Sequence, residues 1–199
     1  MLLTTGQAAE ELGCAVTTFR RLVRAGVLPG LSRRGVRVMV PLEVVTTLKE
    51  RAAAPLAHLP APEIAVLRAD VAQQAGNGAW TGFSATLPPE ELLKALRGWW
   101  RCDAGSIAAG RVLPVTLSGF VVAVLTGLER WEKDDRGRHG FPEAVLAGHL
   151  TDLAQPVKQL TAPAREDREL ADLLLGTRLA SHSGGTIAYV TTNTTDTVD

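Results

Sequence analysis

Between Val112 and Leu128 the chain is apolar over about the shortest length that can cross a bilayer. Such a stretch must be hidden from water, and there are few ways to hide it. A membrane helix is one. However, Thr116, Ser118, Gly119, Thr126 and Gly127 interrupt the run, and its valines are β-branched, which favours extended backbone. From Phe120 onward, Phe120, Val122 and Val124 share one parity, and Val121, Ala123 and Leu125 share the other. The pattern predicts two strands, Val112–Thr116 and Phe120–Trp131, joined at Ser118-Gly119 and buried on both faces, with no membrane span.

The ends of the chain differ in charge. Residues 1–56 hold 8 Lys/Arg and 4 Asp/Glu (8 − 4 = +4), whereas residues 57–199 hold 13 and 17 (13 − 17 = −4), so the formal net charge is zero. A basic head on an acidic body implies two units with different partners. In the head, Thr4 and Gln7 have capping-box spacing, Ala8, Ala9 and Leu12 make an apolar face, and Gly13 is a helix stop. After the turn Gly13-Cys14-Ala15, a second helix runs from about Val16 to Ala25 and ends at Gly26. At about 100° per residue, Phe19, Leu22 and Val23 fall in one sector, while Thr17, Arg20, Arg21 and Arg24 fall opposite. No acid lies within a turn to neutralise the three guanidiniums. This is the arrangement a helix needs in the major groove, with Arg to guanine edges or phosphates and Thr to phosphate. The turn Arg33-Arg34-Gly35 and the alternating Val36, Val38 and Val40 predict a small hairpin, and Leu42–Glu50 a third helix with Leu42, Val45 and Leu48 as its stripe.

From Thr4 to Gly13, from Thr17 to Pro29 and through Arg33–Val40, these residues resemble the winged helix-turn-helix of the excisionase and MerR group, over residues 2–52. The resemblance implies a second helix in the major groove, with Thr17, Thr18, Arg20, Arg21 and Arg24 facing DNA. It implies that Arg33, Arg34 and Arg37 of the wing meet the backbone. Ala15 departs from the pattern, standing where the group often has a capping Ser or Asp; such a loss costs of order 1 kcal/mol. A helix-turn-helix used only to dock protein is the alternative.

Residues 53–62 are Ala/Pro-rich and read as a semi-stiff linker. Residues 63–190 read as one α+β domain. It comprises a segment at Glu63–Asp70 leaning towards strand, a helix opened by Pro88-Pro89, a Trp-rich strand at Trp99-Trp100 and the apolar pair. A charged turn at Glu129–Arg138, a helix at Glu166–Leu175 and a strand at Thr186–Val190 complete it. Thr191–Asp199 reads as a disordered tail. Trp80-x-Gly82-Phe83, Arg97-Gly98-Trp99-Trp100 and Gly140-Phe141 resemble marks of small PUA-like barrels of the ASCH and EVE type, over residues 60–192. The resemblance implies a curled sheet and a base or small-molecule pocket at Trp80, Phe83, Arg97, Trp99, Trp100 and Arg101. The long stretch from Leu146 to Glu169 and the Ser181–Gly185 loop depart from it. Trp131, beside an apolar run, reads as core.

No nucleophile–base set, phosphate loop or dinucleotide fingerprint is present, so no enzymatic activity and no cofactor are expected. Cys14 and Cys102 lack metal-ligand spacing and imply a reducing, cytoplasmic setting. The expected partner is double-stranded DNA. One small module makes few phosphate contacts, so self-association or cooperative assembly on DNA is expected as well. A bacterial or phage-type transcriptional regulator, a base reader of a defence or modification system and a protein-docking scaffold are the competing functions.

Overall fold

A computed structural model describes residues 1–182 and 185–192. From residue 193 onward, the stretch read as a tail lies outside the described residues, as do Ser183 and Gly184 of the late Gly-rich loop. The head opens with β1 (Leu2–Thr4), a strand too short to show periodicity in the sequence. Thr4 then caps α1 (Thr5–Leu12). The Gln7 N–H donates to Thr4 Oγ1 at 3.3 Å and the Thr4 N–H donates to Gln7 Oε1 at 3.0 Å, which completes the expected capping box. Gly13 closes the helix at φ 75°, a conformation that costs glycine little and other residues more. Then come α2 (Val16–Arg24), β2 (Ser32–Arg34), β3 (Arg37–Pro41) and α3 (Leu42–Lys49). β1 joins the hairpin to give a three-stranded sheet of order β1-β3-β2. The hairpin turns later than its valines suggest. Arg34 pairs with Arg37, so Gly35 and Val36 form the tip, and Val36 is fully exposed while Met39 and Val40 are buried. Gly35 at φ 59° permits this two-residue reversal.

The Ala/Pro-rich segment is packed. Its Ala54 N–H donates to the Arg178 carbonyl, and the Arg178 N–H donates to the Ala52 carbonyl, both at 2.8 Å. β4 (Glu63–Arg68) follows, then a small hairpin of β5 (Gln73–Gln74) and β6 (Trp80–Thr81). α4 (Pro89–Leu96) carries Glu90 and Glu91 in its first turn, where the helix dipole favours acids. α5 (Ala104–Gly110), capped by Asp103, has no counterpart in the sequence reading. β7 (Leu113–Leu117) and β8 (Phe120–Thr126) are the predicted apolar pair, and every residue in both is buried. Ser118 and Gly119 join them with φ of 54° and 83°, a two-residue turn whose twist suits antiparallel strands. β8 stops short of Trp131 because Gly127, at φ 67°, turns the chain against the Glu143 carbonyl. Trp131, read as core, is instead 44% exposed.

The charged turn lies between β9 (Glu132–Lys133) and β10 (His139–Gly140). Asp134 Oδ1 accepts the Arg136 and Arg138 N–H groups at 3.0 and 2.8 Å and organises it. β11 (Val145–Asp152), β12 (Val157–Leu160), α6 (Arg165–Leu174) and β13 (Ile187–Thr191) complete the body. The main sheet has the order β12-β11-β8-β7-β4-β13 and is antiparallel except for β4 beside β7. It is open. The long stretch after Leu146 supplies β11 and β12, which extend the sheet on the side away from β13, so the expected barrel does not close. α6 packs on β8, β11 and β12, and its C-cap Leu175 lies close enough that a Cβ on Gly148 would come within 3.0 Å of Leu175 Cδ1.

Head and body share one core, a single cluster running from Phe19, Leu22 and Val45 to Val115, Val124 and Leu150. Backbone bonds cross the junction. The Ala85 N–H donates to the Ala25 carbonyl and the Leu153 N–H donates to the Val27 carbonyl, both at 2.8 Å. The Arg51 guanidinium also donates to the Ala154 carbonyl.

His149 in β11 is 3% exposed, and its Nδ1 has no hydrogen-bond partner. Burial pushes its pKa down, because the charged form is penalised away from water. The unfolded chain therefore takes up the proton first. The stabilisation is complete above the ordinary imidazole pKa of roughly 6.5 and is lost as pH falls below it. In thermal melts from pH 8 to pH 5, the wild type should lose more Tm than His149→Leu; equal losses would rule the effect out.

Candidate nucleic-acid interface

α2 is built to show one face. Its back, Phe19 and Leu22, is fully buried, and Val23 is half-buried against the same core. Thr17, Arg20, Arg21 and Arg24 are exposed, as expected from their spacing, and Thr18 is half-buried at the edge of the arc. Ala15 gives the helix no side-chain cap, so its first amides are satisfied by neither a hydroxyl nor a carboxylate of the cap residue. Arg33, Arg34 and Arg37 are exposed on the wing. A groove of about 570 Å³ separates α2 from the wing and is walled by Arg20, Val23, Arg24, Arg37 and Val38. Helix and wing thus form one cationic surface.

One acid does reach this surface, from far along the chain. Asp70, just beyond β4, accepts Arg21 Nε at 3.2 Å. Both side chains are at least half exposed, so the pair contributes only about 0–1 kcal/mol. Beside it, Ser118 Oγ donates to the Thr18 carbonyl at 2.9 Å. The sequence reading missed Arg68, Asp70 and Ser118 as neighbours of α2. No local signal marks them, because only the path of the sheet brings the ends of β4 and β7 to the helix.

The proposed base pocket assembles in part. Trp80, Arg97 and Trp99 line a cleft of about 520 Å³ together with Lys94, Arg138 and Phe141. The Trp99 indole lies over Gly140, where a Cβ would come within 3.2 Å of three ring atoms, and the residue remains 44% exposed. Phe83 is fully buried in the core and Arg101 is exposed away from the cleft. Trp100 packs on Phe141 with ring centroids 5.8 Å apart. The expected Trp strand is a single bridge, Trp100 to His139. The two rings nevertheless point to opposite sides, Trp100 inward onto Phe141 and Trp99 into the cleft.

Nearby, Cys102 Sγ lies 4.0 Å from His139 Nδ1, a Cys/His approach invisible in the sequence because the two belong to separate segments. Burial, with a smaller push from the Asp103 charge, raises the thiol pKa to about 11 and keeps it protonated at neutral pH. Among the described residues, no cluster of His, Cys, Asp and Glu could hold a metal ion, and no helix is long and apolar enough to cross a membrane.

Residues 2–52 match a family model described as a helix-turn-helix domain. The match covers about a quarter of the chain and stops three residues after α3, so it concerns the head alone. No curated protein and no solved structure matches the chain. The head is a helix-turn-helix domain, a DNA-binding type of module, followed by a mixed α+β body.

Proposed function

We propose that the protein is a sequence-specific DNA-binding regulator of the excisionase and MerR type, with α2 in the major groove and the wing on the adjacent backbone. The observation that carries this reading is the exposed arc of Thr17, Arg20, Arg21 and Arg24, continuous with the wing arginines, in a domain matched as helix-turn-helix. The body would mediate self-association on DNA or sense a ligand or partner, because one small head makes few phosphate contacts. Fluorescence anisotropy on random-sequence duplex at rising salt tests the reading. Binding should fall steeply, with a log–log slope of about −0.9 for each phosphate contacted. No binding at low salt would overturn it.

A second reading gives the aromatic cleft a flipped or single-stranded base, stacked on Trp99. It is favoured by the exposure of that indole within a cleft that also holds Trp80 and Arg97. It requires single-strand binding that disappears in Trp99→Ala while duplex binding persists.

A further inference from the structure

α2 is flanked on both sides. Arg20 borders the wing groove, and Arg21, about 100° further round the axis, borders a second cleft where the helix meets the body. This second cleft encloses about 640 Å³ and is lined by Thr18 and Arg21 of the head and by Arg68, Asp70 and Ser118 of the body, among others. We propose that it receives the sugar–phosphate backbone on the flank of the major groove opposite the wing, with Arg68 and Arg21 as the phosphate ligands. The proposal rests on the reading that the head binds duplex DNA.

Three observations carry it. The first is position. A helix about 10–12 Å across fills a groove about 12 Å wide, so the two phosphate strands flank it, where the wing and the cleft lie. The second is chemistry. The cleft brings together the guanidiniums of Arg21, from the head, and Arg68, from the body, with the Thr18 hydroxyl, and Asp70 is the one carboxylate among its described lining residues. Arg68 Nη1 also donates to the Gly185 carbonyl at 3.5 Å, and the Ser118 hydroxyl is taken by the Thr18 carbonyl. Two guanidiniums beside a hydroxyl are a composition used for phosphate contacts. The third is rigidity. The Ser118–Thr18 bond and the shared core hold the ends of β4 and β7 against α2, so Arg21 and Arg68 keep their mutual placement when the helix enters the groove.

Asp70 tunes the contact. Its carboxylate accepts the Val71 N–H at 2.8 Å as well as Arg21, and so holds that guanidinium on the body. An arriving phosphate competes with Asp70 for Arg21.

The test uses the full chain and a random-sequence duplex, followed by anisotropy over a salt series. Arg68→Glu should weaken binding about tenfold or more and make the salt slope shallower by about one contact, while Arg68→Lys should keep the slope. Asp70→Asn should tighten binding severalfold by releasing Arg21 and removing an acid. Unchanged affinity and slope in Arg68→Glu, with wild-type binding intact and unchanged thermal melts, would overturn the proposal but leave the head's role standing. A wild type that binds no duplex at low salt would overturn both.

Discussion

Replacing Arg20 and Arg24 together with alanine should weaken duplex binding by about 100-fold at low salt and leave the melting temperature nearly unchanged. Both side chains project from the exposed arc of α2, so their loss removes little packing. Each would contact either a phosphate or a guanine edge. A bidentate base contact contributes about 1–3 kcal/mol, and each lost phosphate contact lowers the salt slope by about 0.9. Two losses of about 1.4 kcal/mol each amount to a factor of about 100. The decisive measurement is the dissociation constant at low salt, read beside a thermal melt. A change smaller than about threefold in a fully folded variant would mean that this face of α2 does not enter the groove.

The second large effect is expected from one methyl group. Gly82 sits at φ 85°, and a Cβ there would lie 2.6 Å from the Asp70 carbonyl oxygen and 2.8 Å from that of Val71. The positive φ alone costs alanine about 1–2 kcal/mol, and the two carbonyls belong to backbone that cannot swing away. The Asp70 carbonyl also accepts the Phe83 N–H at 2.8 Å, and Phe83 is fully buried. Gly82→Ala should therefore cost about 3 kcal/mol or more, lowering Tm by roughly 6–12 °C for a chain of this size. Calorimetry measures this directly, and a shift below about 2 °C would show that the segment yields easily. Asp70 is also the residue that holds Arg21, so displacing it should disturb the cationic surface of α2 as well.

The head was legible in the sequence because its signals are local. Thr4 with Gln7, the stop at Gly13 and the segregation of Arg20, Arg21 and Arg24 from Phe19 and Leu22 each act within a turn or two of helix. The apolar pair was legible for a related reason: β-branched residues on both parities leave few alternatives to a covered sheet centre. The misses share a different cause. α5 is built from Ala104-Gly105-Ser106 and small residues beyond, with too little contrast between faces to show a period. β11 is broken to the eye by Gly148 and His149, one a close-approach site under α6 and the other a buried imidazole. Val36 has the parity of a strand residue, whereas the tip glycine decides the turn. The aromatic cleft was partly legible as composition, but the sequence could not tell Trp99 from Trp100, since neither lies in a regular strand. The pairing of Arg21 with Asp70 depends wholly on where β4 ends in space.

The carbonyls of Ala25 and Val27 are spoken for by amides of the body, and Arg178 clasps the segment just after α3 through both its N–H and its carbonyl. The head is therefore not an interchangeable cassette. A chimera carrying a foreign helix-turn-helix on this body would need to offer carbonyls at the same two points, or leave the Ala85 and Leu153 amides unanswered. In an assembly of two copies, the distance and angle between recognition helices would be dictated by how the bodies meet, with no slack from a tether. The operator spacing such a protein tolerates would be correspondingly narrow.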